Sequence, residues 1–487
     1  MRHILLCPKF EMIRRICPKT LVYRPAMAAR EMILSAAVCL CSIAAVRLMD
    51  LYWDSPSPGP HWMERESGPA LRASCSGHGR VFNDGSDLAC ECSDCYTGVN
   101  CSELQHGCMV DADAGDPTFL EPFWMEHGAD AGVFMPSWYR MGYSVKKKGS
   151  SPAHKELPLV YVIKELEDSI RELHELVGNA VVKDKYLVLG TGSMQLVAAA
   201  LNALSDSFPE KPGAVVTRAP YYMIYKLQVD VLSSSKFQWG GDAVAAFEKK
   251  AFDPSSVVEL LAAPNNPDTS ILEPVYKGTN AKIIHDKAYY WPHYTAIAGA
   301  LDEDVMLFSL SKTTGHAGSR IGWALVRDIE VYKKMFMYIA VSTIGVSRES
   351  QLRAHRLIKS VLDGYQNGGS HKARMFDFGY HTLQSRWQTL AEIFKASTRF
   401  SIQKVDSQHC SFFKKEVSPS PAYAWIRCEQ EEDCHSIFAA AGINGRPGRA
   451  FGASNRYIRL CMIKRDDEFE LLAGKLQALV DTELTNE

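Results

Sequence analysis

The stretch VMLFSLSKTTGHAGSRIGWALV occupies residues 305–326 and carries the strongest structural signal in the chain. Its apolar start, VMLFSLS at 305–311, predicts a buried β-strand. Lys312 follows directly, among Ser and Thr hydroxyls, and a lysine amine at a strand end can form an imine with an aldehyde. Arg320 comes eight residues later, where its guanidinium could bind a phosphate through two parallel hydrogen bonds. A single lysine is more often a solvated surface charge, so the interpretation depends on the surrounding motifs.

Upstream, a glycine turn predicts a phosphate-binding site. Gly190-Thr191-Gly192-Ser193-Met194-Gln195 follows the predicted strand YLVLG and precedes the helical run LVAAALNAL. A turn of this kind presents free backbone N–H groups and the positive end of a helix dipole to an anion. It is not a nucleotide P-loop, because no Lys-Ser/Thr pair follows, and it lacks a further glycine of the dinucleotide fingerprint. The alternative is a plain strand-to-helix turn.

Two more polar motifs come directly after predicted strands. Asn265-Asn266-Pro267-Asp268 could supply an amide donor to a ring oxygen, although Asn-Pro pairs are also common in ordinary turns. Asp286-Lys287-Ala288-Tyr289 ends the strand AKIIHD. A buried carboxylate is costly unless it is paired, and a protonated pyridine nitrogen would pair it. The alternative for Asp286 is a helix N-cap.

The order of these motifs is more specific than any one of them. Glycine turn, Asn-Pro, Asp-x-x-Tyr, Ser-x-x-Lys and Arg occur in sequence, each at a predicted strand end. Strands alternate with amphipathic helices through this region, which predicts an α/β fold with a mostly parallel sheet covered by helices on both faces. Ligands of such sheets bind at the carboxyl ends of the strands. The sequence therefore predicts a site for pyridoxal 5'-phosphate (PLP), with Lys312 as its Schiff-base lysine.

A cysteine-rich segment precedes this region. Residues 75–108 read CSGHGRVFNDGSDLACECSDCYTGVNCSELQHGC and hold six cysteines. An even count in a short, glycine-rich stretch predicts three disulfides that replace a hydrophobic core. The alternative is a zinc site built on Cys92 and Cys95, although a second well-spaced pair is missing. Asn100-Cys101-Ser102 is also a glycosylation sequon, which suits a secreted module.

The N-terminus and the overall charge set the expected compartment and partners. Residues 1–30 are basic, and the uncharged run MILSAAVCLCSIAAV at 32–46 suits a signal peptide or a marginal single-pass anchor. Passage through the secretory pathway is therefore expected, ending in the ER membrane or lumen, the vacuole or outside the cell. A buried apolar helix or a transit peptide is the alternative. The formal net charge of −2 gives no basic surface field for nucleic acid and favours chemistry on a small molecule.

With these motifs in view, the chain resembles the alliinase and tryptophan aminotransferase-related family of plants. The resemblance extends from Cys75 to about Leu479 and includes the strings GDPTFLEPFW, PNNPD, HDKAYYWPHYTAI and LFSLSKTTGHAGSR. It implies a fold-type I PLP-transferase preceded by an EGF-like module. The expected domains are a basic N-terminus with an apolar segment (1–50), a linker (51–72), the EGF-like module (73–108), a large PLP-binding domain with an N-terminal arm (109–345) and a small α+β C-terminal domain (346–487).

The resemblance also implies roles for individual residues. Cofactor contacts would come from Tyr143, Ser193, Met194, Gln195, Tyr222, Asn266, Asp286, Tyr289, Ser309, Lys312 and Arg320. Arg459 would pair with the substrate α-carboxylate, with Gly115 near the substrate. Tyr143 would reach the phosphate from a neighbouring subunit, which makes a homodimer the expected active unit. The implied disulfides are Cys75–Cys90, Cys92–Cys101, Cys95–Cys108 and Cys428–Cys434, and no metal site is expected.

Three functions are compatible with these features. The Gly115-Asp116-Pro117-Thr118 segment resembles the aminotransferase-related branch, which implies a transaminase that converts an L-amino acid such as tryptophan to its 2-oxo acid, here indole-3-pyruvate for auxin biosynthesis. The EGF-like module is typical of alliinases, which implies a cysteine-sulfoxide C–S lyase as the alternative. A non-catalytic binding protein that uses the EGF-like module is a third hypothesis, and the intact Lys312 counts against it.

Overall fold

The structure, a computed structural model, describes residues 75–83, 88–128, 131, 162–208, 212–233, 235–366 and 373–484. The apolar segment 32–46, the linker 51–72 and Tyr143 lie outside the described residues. Among the helices that the structure describes, none is long and apolar enough to span a lipid bilayer.

The described strands fall into the cysteine module, a large sheet and a small-domain sheet. In chain order they are Gly79–Asn83 (β1), Leu88–Cys92 (β2), Tyr96–Thr97 (β3), Glu103–Leu104 (β4), Val110–Asp111 (β5), Tyr186–Gly190 (β6), Gly213–Thr217 (β7), Phe237–Asp242 (β8), Val257–Ala262 (β9), Lys282–Asp286 (β10), Val305–Ser309 (β11), Gly322–Val326 (β12), Phe400–Ile402 (β13), Gln408–Cys410 (β14), Lys415–Val417 (β15), Tyr423–Cys428 (β16), Ile443–Asn444 (β17), Arg446–Pro447 (β18) and Tyr457–Cys461 (β19).

The described α-helices connect and cover these sheets. They are Glu121–His127 (α1), Lys164–Val177 (α2), Ser193–Leu204 (α3), Ile224–Leu232 (α4), Ala243–Glu248 (α5), Leu310–Thr313 (α6), Ile329–Thr343 (α7), Arg348–Gln366 (α8), Met375–Lys395 (α9), Cys434–Ala440 (α10) and Asp466–Leu484 (α11). The small domain begins with the two longest of these helices that precede its sheet, α8 and α9.

Seven strands form one mixed sheet in the order β6-β12-β11-β10-β9-β7-β8. Only β12 runs antiparallel to its two neighbours, and the other adjacent pairs are parallel. Both faces are buried, because neighbouring residues of β6 point into different cores: Leu187 and Leu189 into one, Val188 into the other. Helices α3 and α7 cover one face, and α2 and α8 cover the opposite face. The predicted α/β class with a mostly parallel sheet is confirmed.

The strand register brings the sequence motifs to one edge of this sheet. Asp286, at the end of β10, pairs with Ala262, at the end of β9. Because β12 runs backwards, its first residue, Gly322, lies between Ser309 at the end of β11 and Gly190 at the end of β6. The carboxyl ends of four strands and the start of a fifth therefore meet at the same edge.

The C-terminal region has its own sheet and core. Strands β13-β16-β19-β18 form an antiparallel sheet, and Leu390 of α9, Phe438 of α10 and Leu476 of α11 share a core with Ile426 and Leu460 of that sheet. This is the smaller α+β domain that the family resemblance implied. A Cys428–Cys434 disulfide joins the end of β16 to the start of α10.

The cysteine module is built from two small hairpins and three disulfides. β1 pairs with β2 and β3 with β4, and the disulfides are Cys75–Cys90, Cys92–Cys101 and Cys95–Cys108. These are the pairs that the resemblance implied. The chain leaves the module through β5, which pairs in parallel with β17 next to the small-domain sheet.

Candidate active site

A cavity of about 280 Å³ opens where the edge of the large sheet faces the small domain. Its lining includes these residues singled out from the sequence: Gly115, Ser193, Met194, Tyr222, Asn266, Asp286, Tyr289, Ser309, Lys312, Arg320 and Arg459. These residues come from positions as far apart as 115 and 459 in the chain. The fold therefore brings together groups that the sequence motifs predicted and groups that the family resemblance implied.

Lys312 lies one turn after the end of β11, in the short helix α6. Its Nζ donates to the backbone carbonyl of Gly115, and burial lowers the pKa of the amine to about 8. The Lys312 carbonyl accepts hydrogen bonds from His293 Nε2 (3.2 Å) and Tyr294 Oη (3.1 Å), both from the WPHYT string. The backbone of the lysine is thus fixed by side chains, and about a tenth of its amine is uncharged at pH 7, far more than for an exposed lysine.

Asp286 is buried and faces two hydrogen-bond donors. Tyr225 Oη donates to its Oδ2 at 2.8 Å, and the Ala288 N–H donates to its Oδ1 at 3.0 Å. Burial raises the pKa of this carboxyl, and the two hydrogen bonds and the charge of Lys287 act in the opposite direction. A cationic ring nitrogen would stabilise the charged carboxylate further, because an opposite charge offsets the cost of burial.

The glycine turn and Arg320 form an anion cradle. Gly192, with φ 86°, precedes α3, and the N-terminus of α3 has no side-chain cap, so its first N–H groups face the cavity edge uncapped. A Cβ on Gly192 would lie 2.5 Å from Nη2 of Arg320, and one on Gly322 would lie 2.7 Å from the Ser193 nitrogen. Only glycine at both positions lets backbone and guanidinium approach this closely.

Gln195 lies behind this cradle rather than in the cavity wall. Its Oε1 accepts from the Thr191 N–H at 2.7 Å, and its Nε2 donates to Ser342 Oγ at 3.0 Å. The side chain therefore ties the glycine turn to the end of α7, and a direct role of that side chain in phosphate binding remains a prediction.

The Arg459 side chain, on β19, donates hydrogen bonds to Asn266 and Asp113. Its Nη1 donates to Asn266 Oδ1 at 2.9 Å, and its Nη2 donates to the Asp113 carbonyl at 2.6 Å. The Tyr423 ring packs over the guanidinium, with 4.2 Å between Cζ and the ring centroid. The side chain is only 4% exposed, and its Nε is buried without an acceptor among the described residues. A buried donor without a partner is costly, so a carboxylate ligand would be well placed to satisfy it.

Tyr289 and Tyr423 form a buried pair at the cavity wall. Their hydroxyl oxygens are 2.5 Å apart, and burial raises the pKa of Tyr423 to about 12 and that of Tyr289 well above its usual value. Both tyrosines therefore stay protonated and can donate a hydrogen bond at neutral pH. Gly115 faces the Tyr423 hydroxyl so closely that any side chain at position 115 would collide with it.

The cavity wall also contains polar residues that the sequence motifs did not predict, among them Tyr225, Tyr423, Asp113 and Arg446. Tyr225 lies in the first turn of α4, three residues after Tyr222, and this closeness in sequence to a predicted site residue was the one available signal. Tyr423 and Arg446 lie in small-domain strands without a local motif, and Asp113 is one of several acidic residues in its segment.

The residues present fit PLP. The uncapped helix start with Gly192 and Arg320 suits the phosphate, the buried Asp286 carboxylate suits a protonated pyridine nitrogen, and the Lys312 amine suits the aldehyde. Arg459, which lines the same cavity, suits the carboxylate of an amino acid. The cavity therefore has donors for both the cofactor and its substrate.

Two family models cover most of the chain. Residues 110–480 match the family described as Allinase, and residues 63–108 match the alliinase EGF-like domain. Together these matches include both the cysteine module and every cavity residue described above.

The chain also matches two plant proteins over most of their length. The chain is 42% identical over 468 residues to tryptophan aminotransferase-related protein 3 of Arabidopsis thaliana, a match that covers 94% of this chain and 98% of that protein. It is 39% identical over 427 residues to alliin lyase of Allium cepa, with 85% and 86% of the two chains covered.

Solved structures share the fold at much lower identity. An aminotransferase from Staphylococcus aureus matches with a TM-score of 0.54 at 15% identity, covering 76% of this chain and 94% of that one. An aspartate aminotransferase from Thermotoga maritima matches with a TM-score of 0.52 at 15% identity, covering 77% and 92%. These likenesses confirm the predicted fold-type I architecture.

Proposed function

The chain belongs to the alliinase family of PLP-dependent enzymes with the aminotransferase fold, and from this premise we propose that it is an L-amino acid transaminase acting on tryptophan. The observation that carries the proposal is the pair of Arabidopsis relatives named tryptophan aminotransferase-related proteins 3 and 4, which match at 42% and 41% identity over 98% and 97% of their length. The Gly115-Asp116-Pro117-Thr118 segment supports it. The product would be indole-3-pyruvate, which feeds auxin synthesis.

The proposed roles follow from the chemistry of the cavity. When bound, PLP supplies an electron sink for the electrons released at the substrate Cα. Lys312 Nζ would remove the proton from the substrate Cα and hold it for the proton return that transamination requires. Arg459 would fix the α-carboxylate, and Asp286 would keep the ring nitrogen protonated. Asn266 and Tyr289 would donate to the ring oxygen, and Tyr222 would stack on the ring.

A product assay tests the reaction. The purified protein is given L-tryptophan and pyruvate, and indole-3-pyruvate and alanine are measured together. We expect both products in equal amounts from the wild-type protein and neither from Lys312→Ala, because that variant lacks the proton-transferring amine. Absence of both products from a wild-type protein that carries its cofactor would contradict the tryptophan assignment.

β-Elimination is the competing reaction. It is favoured by the alliin lyase relatives, which match at 38% to 39% identity, and by the EGF-like module that they share with this chain. In that reaction a sulfoxide group would leave from Cβ, and pyruvate and ammonia would follow. A second tube with S-allyl-cysteine sulfoxide decides the matter: pyruvate release there, without 2-oxo acid from tryptophan, would identify a C–S lyase.

We further propose that the active unit is a homodimer. Two helices next to the phosphate cradle expose large apolar side chains: α4 exposes Leu227, Val231 and Leu232, and α7 exposes Met337 and Val341.

Both helices contact the cradle helix α3, because Gln228 Nε2 donates to the Met194 carbonyl and Gln195 bonds to the end of α7. Exposed apolar stripes beside a site are typical of subunit interfaces. Such an interface would allow Tyr143 of a second copy to reach the phosphate.

The compartment is proposed on the same grounds. The three disulfides of the EGF-like module require an oxidising environment, which supports passage through the secretory pathway. The apolar segment 32–46 would direct the chain there, and the ER lumen, the vacuole and the extracellular space are the candidate destinations.

A further inference from the structure

Two arginines lie opposite each other on neighbouring strands of the small-domain sheet, at the wall of the cavity. Arg446 on β18 and Arg459 on β19 are register partners, and both line the cavity. Like charges directly opposite each other destabilise a sheet. A compensating anion is therefore expected between them.

Asp113 supplies that anion. Its Oδ1 and Oδ2 accept from Arg446 Nε at 2.5 Å and Nη2 at 2.6 Å, which is a bidentate pair. Its Oδ1 also lies 3.3 Å from Arg459 Nη2. The remaining nitrogen of Arg446, Nη1, contacts the sulfur of Met223 at 3.0 Å. All three nitrogens of Arg446 thus have partners inside the protein.

The backbone holds Asp113 in place independently of its carboxylate. Ala112 N–H donates to the Asn444 carbonyl at 2.8 Å, and Cys461 N–H donates to the Ala112 carbonyl at 2.7 Å. Arg459 Nη2 also donates to the Asp113 carbonyl at 2.6 Å. A side-chain change at position 113 therefore keeps these backbone contacts and the shorter of the two hydrogen bonds from Arg459 Nη2, the one to the Asp113 carbonyl.

A free arginine in this position would bind a second carboxylate of a ligand. Arginine binds carboxylates through two parallel hydrogen bonds, and the pair with Asp113 already uses that geometry. Register partners in an antiparallel sheet have Cα atoms about 5 Å apart, so one ligand could span Arg459 and Arg446. An acidic side chain entering here would instead meet the charge of Asp113.

We propose that Asp113, by occupying Arg446, determines the substrate class: amino acids with uncharged side chains are accepted, and dicarboxylic amino acids are rejected. The inference rests on the proposed function only in taking Arg459 as the α-carboxylate partner. It holds for transamination and for β-elimination alike, because both begin with the same carboxylate contact.

Binding of two simple acids to the holoenzyme tests the proposal. Isothermal titration calorimetry compares butyrate, a monocarboxylate, with glutarate, a dicarboxylate of similar length. We expect the wild-type protein to bind glutarate no more tightly than butyrate. Asp113→Asn should bind glutarate about 10- to 100-fold more tightly than the wild type, with butyrate changed by less than about threefold, because a charged bidentate contact becomes available.

Three further variants test whether the gain in glutarate binding depends on Arg446. Arg446→Gln added to Asp113→Asn should remove the gain for glutarate. Asp116→Asn removes another carboxylate from the cavity wall without freeing Arg446, and it should change glutarate binding by less than about threefold. If Asp113→Asn fails to fold, Asp113→Ala serves the same purpose, since the backbone contacts remain.

Two outcomes would overturn the proposal: wild-type protein that prefers glutarate, or a gain in Asp113→Asn that survives the loss of Arg446. Failure of the transaminase proposal is separate. It would appear in the product assay, whereas calorimetry with unreactive acids reports binding alone.

Discussion

At the scale of single residues, burial gives Lys312 its chemistry. A lysine amine reacts with an aldehyde only when uncharged, and burial lowers the pKa of Lys312 to about 8. For apoenzyme mixed with PLP, we therefore expect the rate of cofactor attachment to rise about tenfold per pH unit below pH 8 and to level off above it. An unperturbed lysine would level off only near its usual pKa of about 10.4. Stopped-flow absorbance across pH 6 to about 10 measures this profile.

Lys287 provides the matched control. Burial also lowers its pKa to about 8, but its side chain is not part of the cavity wall. Lys287→Met should keep the attachment profile, and Lys312→Ala should abolish it. A profile that levels off near pH 10 in the wild-type protein would contradict the role given to burial.

Some of these residues could be predicted from short motifs. Others could not, because their partners lie far away in the sequence. Lys312, Asp286 and Asn266 follow predicted strands in short motifs, so their neighbourhood could be anticipated from chain order. Asp113 and Arg446 are 333 positions apart in the sequence. Neither can be recognised as a site residue before the small-domain sheet brings the two side chains together. Charge pairing of this kind depends on tertiary contacts that the local sequence does not encode.

At the scale of elements, the turn between β6 and α3 requires glycine for two reasons. Gly192 has φ 86°, and a Cβ there would also press on Arg320. Gly192→Ala should lower stability by about 1–3 kcal/mol from backbone strain, because φ 86° with ψ 167° is a conformation that essentially only glycine adopts, and should in addition weaken PLP binding by about tenfold or more. Denaturant unfolding of the apoenzyme and a PLP titration measure the two effects separately.

Gly278 is a control for Gly192, because a substitution there would strain the backbone without creating a close contact. It has φ 79°, but a Cβ there would meet no atom within 4 Å. Gly278→Ala should therefore lose stability through backbone strain while its PLP affinity stays unchanged. Equal PLP affinities for the two variants would mean that the close approach of Arg320 to the turn does not matter for the phosphate.

Most strands could be located from the sequence, and their ends could not. AKIIHD at 281–286 corresponds to β10 at Lys282–Asp286, within one residue. VMLFSLS was predicted as a strand to residue 311, but β11 ends at Ser309 and Leu310 already begins α6. Leu310 is buried in either conformation, so its apolar character gave no sign of where the backbone changes direction.

At the scale of the whole molecule, the apolar stripes beside the cradle predict how the dimer can be broken. Val341, 74% exposed on α7, would be covered in the proposed interface. Val341→Glu should weaken dimerisation by at least about tenfold, because it buries an unpaired charge. Sedimentation velocity over a range of protein concentrations measures the effect.

Val99 is a suitable control, since it is 97% exposed but belongs to the cysteine module. Val99→Glu should leave the mass in solution unchanged. A monomeric wild-type protein that still binds PLP fully would contradict the dimer proposal.

The link between the cysteine module and the cavity also bears on how such chains could evolve. Only four residues separate Cys108, the last cysteine, from Asp113 at the cavity wall, and β5 within them is paired to β17. A recombination event that exchanged the module with a breakpoint just after Asp113 would also replace part of the pocket lining. Such an exchange would change the module and the substrate preference in one event.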